Sequence, residues 1–332
     1  MKAAIGLAAL TCAVVGVCAA SAATKGLPPG GTVVATVPIP DGTGAFAVGE
    51  GAVWSVSDAG PVLTRIDADK NAVVASTKLH LHDVCPANPP GCGEATAGEG
   101  AVWLTHVDDN TVARVDPETS DVIATIKVGS RPLGIASSPG AVWVANSGDP
   151  SVSRIDPATN QVVAIIRTGS PAAATERMAV ATGAGAVWVT GPNAVLRIDP
   201  ETNKIVSKIR LSSRRSGQPC GFLATDEHTV WTSSAHCEAW SGHGVVTRID
   251  ADTRRPTRVV STFKAPIGLA VGFGSLWVAD LDAKAIDRVD PRTGRLVSRL
   301  RVGGLPIRLG IGFGSVWVRD DSGRVLRINP VG

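Results

Sequence analysis

No run of lysine or arginine stands out anywhere in the 332 residues, and the basic residues exceed the acidic ones by only three, 32 against 29. Electrostatic capture of nucleic acid therefore has no compositional footing. Nor does any segment hold helical periodicity for long, which argues against a helical fold. Past residue 23 no stretch is long and apolar enough to span a bilayer. No motif requires a cofactor, and the spacing His80-x-His82 is a weak metal signal alone, with no third ligand close in sequence. What is present, 44% hydrophobic and 18% charged residues, belongs to a folded globular chain.

The beginning, MKAAIGLAALTCAVVGVCAASAATKG, has one lysine, a short apolar run, and small residues around Ala20 to Ala23. It reads as a secretory signal over residues 1–23, cut after Ala22 or Ala23, with export to the periplasm or the extracellular medium. Lipid attachment at Cys18 is the competing reading, but Val17 is bulkier than the usual attachment box accepts. Cys12 and Cys18 leave with such a signal, so Cys85, Cys92, Cys220 and Cys237 remain, an even number in an oxidising compartment. Two disulfides are expected.

One phrase recurs along the rest of the chain. Laid on their tryptophans, its copies centre on Trp54, Trp103, Trp143, Trp188, Trp231, Trp277 and Trp317, spaced by 40 to 49 residues. Each copy reads as four short β-strands, for example IGLAVGFG, SLWVAD, AIDRVDP and RLVSRLRVG, joined by tight turns. A four-stranded unit of this size cannot bury both its faces alone, and radial stacking about an axis gives every unit two neighbours. The expected fold is an all-β, seven-bladed β-propeller of four-stranded antiparallel blades, one domain over residues 24–332, with a monomer expected. The last copy stops after three strands, and GGTVVATVPIP at residues 30–40 supplies the missing fourth. Chain start and chain end thus complete one blade and remove two open sheet edges.

A second repeated feature is an arginine in each third strand: Arg65, Arg114, Arg154, Arg197, Arg248, Arg288 and Arg327, two residues before an Asp or, once, an Asn. A feature present in every blade cannot mark one site. It reads as a structural pair, the acid capping amides of the Asp-Pro-x-Thr turn.

Function in repeat folds lives where the copies disagree. The step from Trp to Arg is usually 11 residues but is 17 in the fifth copy, where the loop SSAHCEAWSGHG carries His236, Cys237, Trp240 and His243. The other long connection, KLHLHDVCPANPPGCGE, carries His80, His82, Cys85, Cys92 and Glu94. Register pairs Cys85 with Cys92 and Cys220 with Cys237. Both stapled loops fall on one face, the top, where inner strands begin. The residue three after each repeat Trp forms a polar ring that includes His106, Asn146, Asp280 and Asp320, and loops on the same face add Arg131, Glu176, Arg177 and Arg308. A mouth of this kind suits a small molecule, a carbohydrate or a peptide. If the chain is an enzyme, His106 or His236 is the candidate base and Arg177 or Arg308 the electrophile.

The stretch VWVANSGDPSVSRIDPATNQVVAIIRTGS resembles the YVTN-repeat propellers, a group of largely exported seven-bladed proteins. The PIGLAVGFGSLWVA half is similar to the streptogramin B (virginiamycin B) lyases, which open a cyclic depsipeptide by elimination. That second resemblance implies carbon-oxygen lyase chemistry, or hydrolysis of a polysaccharide or depsipeptide, as the alternative to ligand binding. Its catalytic histidine, in a Pro-His-Gly motif, falls on Leu133, Ile267 and Ile307, none of which moves a proton. These residues and Met178 are also the sequence's candidates for closing the central channel.

Overall fold

The computed structural model describes residues 30–40, 44–57, 61–79, 93–169, 178–191, 194–211, 222–234, 244–258 and 263–331. They form seven four-stranded antiparallel sheets, each blade meandering outward from an inner first strand. Blades 1 to 6 follow chain order. Blade 7 combines Pro306–Gly312, Ser315–Asp320 and Arg324–Asn329 with Thr32–Pro38 as its outer strand. The ring therefore closes between chain start and chain end, as the truncated last repeat requires. Among the described residues no helix is long and apolar enough to cross a membrane.

Burial follows from position in the blade. The second strand of blade 3, Ala141–Asn146, is buried at every residue because both its faces meet a neighbouring blade. The outer strand of the same blade, Gln161–Arg167, alternates exposed residues with half-buried ones and the buried Ile166. Val, Ile and Trp at successive positions thus mark the inner layers, where β-branched and aromatic side chains fill a two-sided core.

The seven repeat tryptophans are 0 to 1% exposed and are the largest fully buried side chains. In blades 1, 2, 4, 6 and 7 the indole Nε1 donates to a glycine carbonyl five residues back. Each tryptophan stands directly opposite its repeat arginine on the third strand, as Trp143 stands opposite Arg154. In six blades the guanidinium lies over the indole at 5.0 to 5.8 Å. The arginine then reaches into the next blade. Arg114 Nη1 donates to Pro157 O at 2.6 Å and Asn160 Oδ1 at 2.8 Å. Arg154 makes the matching bonds to Pro200 O and Asn203 Oδ1, and Arg327 carries the pattern across the ring closure to Ala68 O and Asn71 Oδ1.

The aspartate two residues after each arginine shapes the turn that the preceding blade's arginine grips. Asp156 Oδ1 accepts from the Ala158 amide at 2.8 Å, and Asp116 from the Glu118 and Thr119 amides. Turn amides hold the carboxyls of Asp116, Asp156, Asp199 and Asp250 below the ordinary aspartate range. The arginine and aspartate are therefore two halves of an interblade clasp more than a pair with each other.

Two outcomes follow. Trp143→Ala removes the largest side chain of its cluster and should cost on the order of 3 to 5 kcal/mol, read as a lowered midpoint in urea unfolding. The turn carboxylates have folded pKa values below their unfolded ones, so the stability they lend is complete above the ordinary range and is lost as pH falls below about 4. Asn keeps the amide acceptor without titrating. A D116N/D156N/D199N/D250N variant should therefore lose less melting temperature than the parent between about pH 5 and about pH 3, measured by circular dichroism.

Candidate functional site

Every inner strand begins at the top face, and the residue nine before each repeat tryptophan lies at that beginning. Around the ring these residues are Ala45, Glu94, Gly134, Ala179, Phe222, Gly268 and Arg308. Four are glycine or alanine for a steric reason. A Cβ on Gly134 would stand 2.8 Å from Met178 O, and one on Gly268 would stand 3.0 Å from Ile307 O, because the next blade's backbone passes close by. Blades 2, 5 and 7 break the pattern with an acid, an aromatic ring and a base.

Those three side chains meet. Arg308 Nη2 pairs with Glu94 Oε1 at 3.1 Å, and its guanidinium lies over the Phe222 ring at 4.8 Å. Arg308 is only 7% exposed, and its Nε and Nη1 have no hydrogen-bond partner among the described residues. A β-bulge at Ile307 aims the arginine, since Pro306 pairs with Asp320 but Arg308 already pairs with Arg319. Glu94 is set by Thr105 in the neighbouring strand, whose Oγ1 accepts the Glu94 amide at 2.8 Å while its own amide donates to Glu94 O.

Together they bound a cavity of about 160 Å³ on the propeller axis. Its remaining wall is the residue one further along each inner strand: Phe46, Ala95, Ile135, Val180, Leu223, Leu269 and Leu309. The site is polar on one side and apolar around the rest. Leu133, Met178, Ile267 and Ile307, the sequence's candidates for closing the channel, are 1 to 8% exposed and do not line this cavity. The bulge turns Leu133, Ile267 and Ile307 away from the axis, and the last two pack between blades 6 and 7.

Of the residues three after each tryptophan, Ser57, His106, Asn146, Asp280 and Asp320 are buried. Asp280 is fully buried, accepts the Lys264 and Ala265 amides, and pairs with Arg299 at 3.2 Å. Arg299 also holds Asp287, whose carboxyl burial pushes above the usual range despite that arginine. Asp320 is clasped by Arg324 and Ser322. Asn146 Nδ2 donates to Ser151 and Ser153. His106 is buried at the end of its strand opposite Thr111. The Arg131 amide is held by Asn110 Oδ1 at 2.8 Å. Of the residues picked out from sequence, Glu94 and Arg308 are the pair the fold brings together. His80, His82, Cys85, Cys92, Glu176, Arg177, Cys220, His236, Cys237, Trp240 and His243 lie outside the described residues. Among the described residues no three metal-ligating side chains stand together.

Phe222 is the functional candidate that sequence reading missed. Its signal was present: laid on the repeat tryptophans, position minus nine is small in four blades and departs from that in three.

No protein-family model and no curated protein matches the chain. Solved structures do. Virginiamycin B lyase from Staphylococcus aureus is similar at 16% identity and a TM-score of 0.66, over 89% of this chain and 98% of that one. Hydrazine synthase of Kuenenia stuttgartiensis is similar at 16% identity and a TM-score of 0.68, over 93% and 97%. The WD40 domain of Neurospora crassa Pan2 is similar at 12% identity and a TM-score of 0.66, over 92% and 97%. Proteins with such different names share the architecture, so the likeness speaks for the propeller fold and leaves activity to the site.

Proposed function

We propose that this chain is an exported, YVTN-like propeller that binds a small ligand at the top of its axis, in the cavity bounded by Glu94, Phe222 and Arg308. The observation that carries the reading is convergence: the three blades that break the ring of small residues send their exceptions to one point. A concave site with an apolar wall and a few polar groups is the usual form of a small-molecule site. The leader-like residues 1–23 and the even number of remaining cysteines support export with two disulfides. The stapled loops carrying His80, His82, His236 and His243 belong to the same face in this reading and would extend the site outward.

Elimination chemistry gains no residue from this geometry. The positions matching the lyase histidine hold Leu133, Ile267 and Ile307, all buried, and His106 is enclosed rather than presented to the cavity.

Filling the cavity tests the proposal without touching its charges. Ala95 stands where the six other blades carry leucine, isoleucine, valine or phenylalanine near the axis, so Ala95→Leu restores the repeat and should fold normally. Saturation-transfer NMR against a panel of small organic acids, sugars and dipeptides should find binders to the parent that Ala95→Leu no longer holds. A panel with no binder, or binders indifferent to Ala95→Leu, contradicts the reading.

A further inference from the structure

We infer that the chain pairs with a second copy of itself through its bottom face, about a two-fold axis that runs in the plane of that face through blade 7. This goes beyond the axial ligand site, which opens on the opposite face and stays accessible in both copies.

The bottom face carries two rings of turns. The inner ring joins the first and second strands of each blade, and the residue four before each repeat tryptophan sits at its tip. These tips are glutamate in blades 1, 2 and 5, Pro139 and Ala184 in blades 3 and 4, and phenylalanine in blades 6 and 7. Glu50 and Glu99 reach sideways, accepting the Gly100 and Gly140 amides of the next tip. The side chains of Phe273 and Phe313 can accept no such bond. They are 41% and 39% exposed, at φ of 54° and 51°, in the left-handed region that a bulky residue seldom occupies. Both tips stand clear of the molecule, since a Cβ added to Gly274 or Gly314 would meet nothing within 4 Å. Val331, just past the last strand of blade 7, adds a third exposed apolar side chain to this face.

Charge on the outer ring says what covers them. That ring joins third and fourth strands, and its exposed charges change sign across blade 7. On one side stand Asp69 in blade 1 and Glu118 with Asp121 in blade 2. On the other stand Arg292 with Arg295 in blade 6 and Arg254 with Arg255 in blade 5. Lys70 is paired with Asp67, and Asp252 offsets only one of the two blade 5 arginines. In the same turns blade 3 exposes Ala158 and Thr159, while Glu201 and Lys204 of blade 4 cancel.

Because the blades follow chain order around the axis, a two-fold through blade 7 lays blade 6 of one copy on blade 1 of the other, blade 5 on blade 2, and blade 4 on blade 3. Each acidic outer turn then meets a basic one, twice over, as an isologous contact requires. Blade 7 meets itself, setting Phe313 against Phe313 and Val331 against Val331. An apolar centre with a charged rim is the usual anatomy of a protein interface, and opposed charges of this kind fix its register. One match is adverse, Glu99 facing Glu227.

Sedimentation equilibrium of the mature chain, over roughly 1 to 500 μM, should show a monomer–dimer equilibrium. The dimer should weaken as salt rises from about 0.05 to about 0.5 M, and Glu227→Gln should tighten it. Phe313→Ser should weaken it about tenfold or more. R254E/R255E and E118K/D121K should each weaken self-association at least about tenfold, because like charges then face each other at both outer contacts. An equimolar mixture of the two should form a heterodimer about as tight as the parent, since acid meets base again at both. A variant that merely disturbed the fold would gain nothing from mixing. A mixture that stays monomeric overturns the inference, and so does rescue of E118K/D121K by R292E/R295E in place of R254E/R255E, which would move the axis off blade 7. A parent chain that remains monomeric, whether free or held through Phe273 and Phe313 on phosphatidylglycerol vesicles, overturns it as well.

Discussion

The structure depends on one clasp, repeated around the ring: an arginine laid on its own blade's tryptophan and bonded to the turn of the next. A cation over an indole contributes about 0.5 to 2 kcal/mol depending on burial, and a charged donor on a carbonyl adds about 1.5 to 3 kcal/mol. Neither is large alone. What matters is that Arg114, Arg154 and Arg327 make both at once, with the second half always in the adjacent blade. A blade with two sticky faces is thereby told which way its neighbour lies, and the last neighbour is the first blade. Arg319 strengthens that closure from the inside, bonding blade 7 to two carbonyls of blade 1.

Because the clasp occupies the middle of each blade, it leaves the axis free to vary. The inner strands need small residues where the next blade's backbone passes, as at Gly134 and Gly268. They tolerate a large side chain only if it projects along the axis. Glu94, Phe222 and Arg308 do so, and they come from blades 2, 5 and 7, far apart in sequence. The same logic separates the two kinds of arginine here. Among the described residues, those opposite tryptophan leave at most a buried Nε without a partner, as in Arg114, Arg154, Arg197 and Arg248, while Arg308 leaves both Nε and Nη1. A residue that lowers stability where it stands is the mark of a site kept for another purpose.

The fold was legible in the sequence because its determinant is periodic. Seven tryptophans, seven arginines and a last repeat short by one strand give the blade count and the closure. The site was legible only in pieces. Glu94 and Arg308 stood out as charges in loops, but nothing in linear order says that residues 94 and 308 touch across an axis. Phe222 looks like any core aromatic until its place in the ring is counted. The polar residues three after each tryptophan misdirect for the opposite reason. They look like a solvent-facing mouth, and the structure uses Asp280, Asp320 and Asn146 to tie down the top-face turns and strands.

The separation of clasp from site is tested most directly by comparing the unfolding free energies of two variants in urea. Arg154→Gln breaks one clasp and should lower stability by about 1 to 3 kcal/mol. The double variant E94Q/R308M replaces the axial ion pair with neutral groups of similar volume, and it should be as stable as the parent or more so, because a buried pair with unmet donors contributes little to folding. A double variant destabilised as much as Arg154→Gln would contradict the account, since Arg308 would then be one more clasp of the fold.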